Sequence, residues 1–303
     1  MRLSNGQEPL VVATFSRRMA LRLANGEKVS ARVKGKRLQP VCGDHVAAEP
    51  IANEPEWLIT GIMPRRNELS RPNTRGKAEV LAANLSFLAV VTADPPAPDW
   101  FIVDRYLCAA ELMGVSAAVI FNKTDLAEPD TAAGDTLQDY ERIGYRTLLC
   151  SAKIASNLDA LQDLLARQTA IIVGQSGVGK SSLINRLSEN ADLPTAAVSE
   201  GSGEGRHTTV NSVMLALPNG GAVIDSPGVR DYAPSTGNAN DVITGFREIA
   251  KFGADCKFSD CRHLREPICA VKSAVEDGQI SARRYESYKR LLVLTKKLAE
   301  KKY

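Results

Sequence analysis

The spacing of apolar residues changes twice along the chain and divides it into three parts. In residues 1–76, short segments such as 10–15 and 28–33 alternate apolar with polar residues or carry β-branched ones, as half-buried strands do. Asn25 and Gly26 lie between two of these segments and predict a tight hairpin. Five short strands in so few residues predict a small β-barrel.

The middle of the chain, residues 77–236, alternates apolar strand-like segments with helical patterns. Segments such as 87–92 and 170–173 are separated by helical periodicity, for example over residues 101–113. This alternation predicts a mostly parallel sheet with helices on both faces.

The last part, residues 237–303, has a third pattern. A helix is predicted at residues 242–250, followed by a cluster of cysteines and then by a basic amphipathic helix. The pairs of cations in this last helix favour either a solvated basic face or a surface that contacts RNA. The segment that leaves the barrel, residues 71–77, is predicted to be a linker.

Composition and charge narrow the class of protein. The 303 residues are 44% hydrophobic and 24% charged, and the formal net charge is only +3. A nucleic-acid surface must therefore come from local clustering, and residues 1–77 provide it with fourteen Lys and Arg against seven Asp and Glu. The sequence lacks the apolar core of a signal peptide and any segment long enough to span a bilayer. We therefore predict a cytoplasmic protein with no membrane partner, and we also expect a monomer.

A glycine-rich loop follows the apolar residues 171–173 and precedes a helical pattern. This order of strand, loop and helix, with this glycine spacing, is typical of a nucleotide phosphate-binding loop, in which backbone N–H groups and a helix N-terminus bind the phosphates. Lys180 is placed to reach the β- and γ-phosphates, and Ser181 to bind Mg²⁺. The predicted nucleotide-binding residues are Gly174, Gln175, Ser176, Gly177, Val178, Gly179, Lys180, Ser181 and Ser182.

A second motif has the form of a guanine-reading loop. The Asp125 carboxylate can accept two N–H groups from guanine, and adenine cannot supply them. The residues of this motif, which follow the apolar segment 117–121, are Asn122, Lys123, Thr124 and Asp125. Ser151, Ala152 and Lys153 follow the next strand and form a loop that packs on the base, with the Ala152 N–H available to it. Ordinary small GTPases place the phosphate loop first. The reversed order here therefore predicts a circularly permuted GTPase.

Two further segments are candidates for sensing the γ-phosphate. Asp225 and Gly228 follow the apolar residues 222–224 and match an Asp-x-x-Gly loop, with Asp225 near Mg²⁺ and the Gly228 N–H near the γ-phosphate. Val229 stands where many GTPases carry a water-orienting Gln. Residues 201–209 form a polar loop in which either Thr208 or Thr209 can ligate Mg²⁺, and His207 is the local candidate to orient or deprotonate water.

Four potential metal ligands lie within fourteen residues of one another. Cys256, Cys261, His263 and Cys269 offer three thiolates and one imidazole, a set typical of a structural zinc site with no open position for catalysis. Free buried cysteines are the alternative. The other three cysteines, Cys42, Cys108 and Cys150, are scattered among apolar residues and are predicted to be small buried hydrophobes.

Together these motifs, in this order, resemble the RsgA (YjeQ) family of circularly permuted GTPases of ribosome assembly. The resemblance spans nearly the whole chain. It implies a multidomain fold: an N-terminal OB-fold barrel (1–76), a circularly permuted P-loop GTPase domain (77–236) and a C-terminal zinc-binding helical domain (237–303). It also implies GTP or GDP, Mg²⁺ and one structural Zn²⁺ as bound groups, and it assigns His207 to hydrolysis beside Lys180 and Thr209.

The resemblance implies binding to the small ribosomal subunit and its rRNA late in maturation, with GTP hydrolysis stimulated by the subunit and coupled to release. One alternative is a non-catalytic, GTP-gated RNA-binding switch, because Val229 replaces the usual Gln. Another is a metabolic kinase or ATPase that uses the same phosphate loop, and Asp125 argues against it.

Overall fold

A computed structural model describes residues 8–16, 18–35, 37–72, 78–126, 132–188, 210–226 and 241–300. Its strands are β1 Leu10–Phe15, β2 Met19–Arg22, β3 Lys28–Val33, β4 Val46–Pro50, β5 Trp57–Ile62, β6 Glu68–Pro72, β7 Ala78–Ala83, β8 Phe87–Ala93, β9 Ser116–Asn122, β10 Arg146–Leu149, β11 Thr169–Gly174, β12 Val210–Ala216 and β13 Ala222–Asp225. Its helices are α1 Trp100–Met113, α2 Ala132–Arg142, α3 Leu158–Leu165, α4 Lys180–Leu187, α5 Asp241–Thr244, α6 Arg247–Gly253, α7 Ala270–Glu276 and α8 Ala282–Glu300.

The first five strands form the predicted barrel. They pair in the order β1-β2-β3-β5-β4, and an antiparallel bridge between Leu10 and His45 connects β1 to the start of β4. The predicted hairpin at Asn25 and Gly26 joins β2 to β3, with Gly26 at a φ of 86°. The aliphatic residues that face the interior of this barrel form its own small core.

The middle domain is built on six strands in the order β10-β9-β8-β11-β13-β12. All neighbouring pairs are parallel except β12 with β13. Every residue of β8 is buried, and its alternate side chains enter two separate cores: Leu88 and Val90 pack under α1 and α2, while Ala89 and Val91 pack under α3 and α4. Helices thus cover both faces, as an apolar central strand requires.

The barrel and the six-stranded sheet are joined edge to edge. Strand β1 pairs antiparallel with β12, so that eleven strands form one continuous sheet across the predicted boundary near residue 76. Barrel, α/β sheet and C-terminal helices confirm the predicted fold class. No helix of the described residues combines the length and the hydropathy needed to cross a membrane.

Two predictions of local structure were wrong. Residues 71 and 72, predicted as part of a linker, belong to β6, which forms an antiparallel hairpin with β7; residues 73–77 lie outside the described residues. The helix predicted over residues 242–250 is two helices, α5 and α6, interrupted at Gly245. A Cβ atom at Gly245 would lie 2.2 Å from the Cys108 Sγ atom, so the close approach to α1 requires glycine there.

A buried cluster of charges attaches the C-terminal helices to the GTPase domain. Arg284 of α8 is 1% exposed and forms two hydrogen bonds to Glu248 of α6 and one to Asp104 of α1. Arg283 and the Tyr140 hydroxyl also donate to the Asp104 carboxylate. One cation of the predicted basic helix is therefore wholly internal, and it serves the fold rather than the surface.

Candidate functional site

The phosphate loop lies between β11 and α4, as predicted. Gly174, at a φ of 138°, is so close to β8 that a Cβ atom would lie 2.0 Å from the Val91 carbonyl oxygen. Lys180 begins α4, and its ammonium group donates to the carbonyl oxygens of Gly174 and Gln175 at 2.8 and 2.6 Å. The lysine thus spans the loop from inside, where phosphate oxygens can take over its hydrogen bonds.

Asn122 connects three loops. Its side-chain amide donates to the Val178 carbonyl of the phosphate loop at 2.9 Å and accepts from the Ala152 N–H at 3.1 Å. A Cβ atom at Gly179 would lie 2.4 Å from the Asn122 Nδ2 atom, so the loop glycine is required by this contact as well as by its φ of 90°. Asn122 therefore holds the two predicted base-binding loops against the phosphate loop, and in this structure it occupies the Ala152 N–H.

Asp125 is held as an ionised acceptor. The Ser151 hydroxyl donates to its carboxylate at 2.5 Å, and the Lys153 ammonium lies 3.7 Å away. The hydrogen bond from Ser151 is the main cause that lowers the pKa of Asp125, and Lys153 adds to it. An ionised carboxylate accepts hydrogen bonds without donating any, which is what recognition of the guanine N–H edge requires.

A cavity of ≈ 520 Å³ opens between these loops. Its lining includes the Asp125 carboxylate, Ala152, Lys153 and two side chains of α4, Ser182 and Arg186. A cavity of this volume is within the range of small-molecule sites. Among the other predicted residues, Thr124 donates its N–H to the carbonyl of Cys150, the residue directly after β10, at 3.2 Å, which connects the guanine-type loop to the start of the loop 151–153.

Asp225 ends β13, the strand parallel to β11, so that it lies at the same sheet edge as the phosphate loop. Ser226 is buried beside it and shares a hydrogen bond with Ser212. The predicted residues His207, Thr208, Thr209, Gly228 and Val229 lie outside the described residues.

The four predicted metal ligands converge in the C-terminal helical unit. Their ligand atoms lie within 4.8 Å of one another, with 3.8 Å between the sulfurs of Cys256 and Cys269, and 3.4 and 3.5 Å from these sulfurs to His263 Nδ1. A tetrahedral zinc ion with Zn–S near ~2.3 Å and Zn–N near ~2.05 Å separates two sulfurs by ~3.8 Å and sulfur from nitrogen by ~3.6 Å. The donor set and its spacing therefore match one structural zinc ion.

Sequence reasoning missed a loop that touches the phosphate loop from outside. The Asp99 N–H donates to the Gln175 side chain at 3.0 Å, and the Lys123 ammonium donates to the Pro95 carbonyl at 2.9 Å. The sequence signal for this loop, a run of prolines before Asp99 at the start of a helix, indicates only a turn and a helix cap.

Comparison with known proteins gives matches over nearly the whole chain. A family model described as RsgA GTPase matches residues 62–234. A protein from Actinobacillus succinogenes named Small ribosomal subunit biogenesis GTPase RsgA is 38% identical over 96% of this chain and 85% of its own length. A protein of the same name from Haemophilus influenzae is 40% identical over the same shares.

Two solved structures share the fold. The crystal structure of YjeQ from Thermotoga maritima has a TM-score of 0.73 at 27% identity and covers 95% of this chain and 97% of that one. The structure titled YloQ, a circularly permuted GTPase, has a TM-score of 0.73 at 27% identity, with 98% and 97% covered.

Proposed function

The chain belongs to the RsgA GTPase family, and on that premise we propose that it acts on the small ribosomal subunit late in its maturation. As a member of this family it is a GTP hydrolase. In the proposal, the GTP-bound protein binds the subunit and its rRNA, the subunit stimulates hydrolysis to GDP and phosphate, and the protein then leaves. It acts as a monomer in the cytoplasm.

The observation that carries the choice of guanine nucleotide is the Asp125 carboxylate, ionised and held by Ser151 at the wall of the ≈ 520 Å³ cavity. We assign the base to this cavity and the phosphates to the glycine-rich loop, 174–182. Lys180 would then bind the β- and γ-phosphate oxygens, and the N–H groups at the start of α4 would add positive potential. The guanine edge would be read by Asp125 and the loop 151–153.

We assign Mg²⁺ to Ser181, to Thr209 or Thr208, and, through water, to Asp225. When bound, Mg²⁺ neutralises charge on the β- and γ-phosphates. The Gly228 N–H would contact the γ-phosphate. Val229 has no group to orient the attacking water, so we assign that role to His207, whose imidazole can accept a proton from water.

The rRNA part of the proposal is supported by the charge of the barrel. Several of its arginines are paired internally, for example Arg65 with Asp44 at 2.8 Å and Arg32 with Glu54 at 3.0 Å. Arg22, Lys34 and Arg37 make no ion pair with any described residue. Cations that are left unpaired on one domain are available for phosphates, and binding through them falls as salt rises.

The test is the rate of GTP hydrolysis with and without purified small ribosomal subunits. We expect slow turnover by the protein alone and a large gain with small subunits, while large subunits serve as the control and give no gain. The ribosomal proposal fails if small subunits change neither turnover nor the amount of protein that cosediments with them.

The alternative, a GTP-gated RNA-binding switch without turnover, is separated by His207→Ala. The catalytic assignment predicts that this variant retains GTP and subunit binding but loses the stimulated hydrolysis. His45→Ala is the matched control, because His45 lies in the barrel and contacts the Glu8 carbonyl. Unchanged stimulated turnover in His207→Ala would remove the role assigned to His207.

A further inference from the structure

We propose that the zinc-binding module, residues 241–300 with α5–α8, positions the phosphate loop through helix α1, and that Gln175 is the positioning residue on the loop. This inference rests on the nucleotide site assigned above and concerns its regulation. It requires no ribosomal partner.

The first step is a contact between the phosphate loop and the segment before α1, residues 94–99, which we call the brace. The Gln175 side-chain oxygen accepts a hydrogen bond from the Asp99 N–H at 3.0 Å. The Pro96 ring lies next to Gly177 of the phosphate loop, where an added Cβ atom would be 3.7 Å from it. The Lys123 ammonium donates to the Pro95 carbonyl at 2.9 Å, which also connects the brace to the guanine-type loop.

The second step is the stiff connection between the brace and α1. Asp99 is the N-cap residue of α1, and its carboxylate accepts from the N–H groups of Phe101 and Ile102 at 3.1 and 3.2 Å. The residue that holds Gln175 with its backbone is thus fixed to the first turn of the helix by its side chain. A shift of α1 moves the Asp99 N–H, and the Gln175 side chain must follow it or lose the hydrogen bond.

The third step is the contact between α1 and the zinc-binding module. The Arg290 guanidinium of α8 lies 4.0 Å from the centre of the Phe101 ring, and that of Arg283 lies 5.8 Å from Trp100. One turn further along, Asp104 accepts from both Arg283 and Arg284 at 2.7 and 2.8 Å. Helix α8 therefore contacts the N-terminal end of α1, the end that directly follows the brace.

The position of the phosphate loop determines how strongly it binds phosphate. Backbone N–H groups of a phosphate loop bind phosphate only within hydrogen-bonding distance, so a displacement of about 0.5 Å is enough to weaken them. The Gln175 side chain accepts a hydrogen bond from the Asp99 N–H, while its backbone carbonyl accepts one from the Lys180 ammonium at 2.6 Å. A module that moves α1 therefore changes nucleotide affinity without touching the nucleotide.

The test measures the release of fluorescent GDP, without ribosomes, from the full-length protein and from variants. Gln175→Met removes the acceptor for the Asp99 N–H and keeps the loop backbone and the side-chain length. Arg283→Met removes the contacts of Arg283 in α8 with Asp104 and Trp100 in α1. We expect each to accelerate release about threefold or more, the effect of one lost hydrogen bond. The double variant should be no faster than the faster single variant, because both changes interrupt one connection. Independent sites this far apart would instead multiply.

Two further variants separate positioning from general destabilisation. Arg283→Lys keeps a cation beside Asp104 and should restore the release rate to within about twofold of the original protein. Arg65→Met breaks a comparable pair with Asp44 in the barrel and should leave release unchanged, even where it lowers the melting temperature.

The inference is overturned if Arg283→Met leaves GDP release unchanged, or if the double variant shows the product of the two single effects. Should Arg283→Met fail to fold, Arg290→Gln, which removes the exposed contact with Phe101, replaces it in the same comparison. If the unchanged protein does not bind GDP at all, it is the nucleotide-site assignment that fails, which keeps the two failures distinct.

Discussion

The replacement Arg284→Met tests whether the buried charge cluster stabilises the junction between the GTPase domain and the zinc-binding module. Arg284 is 1% exposed and donates to the Glu248 carboxylate at 2.7 and 3.0 Å and to Asp104 at 2.8 Å. Methionine fills similar volume but has no charge. The variant leaves Glu248, itself 5% exposed, without its ion-pair partner.

The expected loss in the free energy of unfolding depends on which hydrogen bonds and ion pairs each carboxylate keeps in the variant. Asp104 keeps the hydrogen bonds from Arg283 and Tyr140, whereas Glu248 keeps no cation among the described residues. Breaking a buried ion pair from one side costs about 3–5 kcal/mol, because one charge stays buried and uncompensated. We expect a loss of this size in the free energy of unfolding, a large share of the roughly 5–15 kcal/mol of a typical domain.

The assay is urea unfolding, followed by the fluorescence of Trp100, which lies at the junction 5.8 Å from the Arg283 guanidinium. Lys289→Met is the matched control: Lys289 pairs with Glu286 on the same helix, but at the surface, so the loss should be about 1 kcal/mol or less. The double variant Arg284→Met, Glu248→Met removes the orphaned carboxylate as well and should recover about 1–3 kcal/mol.

The pH dependence of stability provides a second test of the same charge cluster. Burial raises the pKa of Asp104, but the positive charges of Arg284 and Arg283 outweigh it, so that the pKa lies below its ordinary value. Asp104 therefore contributes stability above about pH 4, its unfolded pKa, and this contribution is lost as the pH falls through the lower folded value. Without Arg284 the loss should begin at higher pH. A stabilising role of the buried cluster is excluded if Arg284→Met lowers the free energy of unfolding no more than Lys289→Met does, or if the double variant is less stable than Arg284→Met alone.

Three further predictions concern single positions. Ile268 is 70% exposed and has a left-handed backbone, with a φ of 57°. Since its side chain is mostly outside the core, Ile268→Gly should relieve the backbone strain and raise the free energy of unfolding of the zinc-loaded protein by about 1 kcal/mol in urea titrations. A lower free energy of unfolding would contradict this. Asp125→Asn should weaken GTP about 10²-fold, as two charge-assisted hydrogen bonds imply, and shift preference toward xanthine nucleotides in competition assays, whereas retained guanine preference would exclude the assigned base site. Gly174→Ala should cost about 3 kcal/mol or more because its Cβ atom would meet a carbonyl oxygen at 2.0 Å, while Gly26→Ala, with the same sign of φ but open space, should cost about 1 kcal/mol; equal losses in urea would refute the steric argument.

Most of the candidate site could be predicted because its parts are contiguous in sequence. The glycines, Lys180 and Ser181 form one loop between a strand and a helix, and the ligands Cys256 to Cys269 lie on one short segment. The local errors had non-local causes. The helix predicted over residues 242–250 is interrupted where Gly245 approaches Cys108 of α1, and residues 71 and 72 of the predicted linker are in a strand that pairs with β7.

The motifs, their reversed order and the types of element that carry them could be predicted, since these depend on periodicity and on neighbours along the chain. Which side chains meet depends on how distant elements pack against one another. Asn122 connects three loops, and the Asp99 N–H donates to Gln175. Arg284, predicted on a basic helix face, is instead buried and paired with Asp104, which is 180 residues away. The charge pattern of one helix is the same whether a cation faces water or a buried carboxylate, so the pattern cannot tell the two apart. The partner that makes the difference belongs to another element, and folding alone brings the two together.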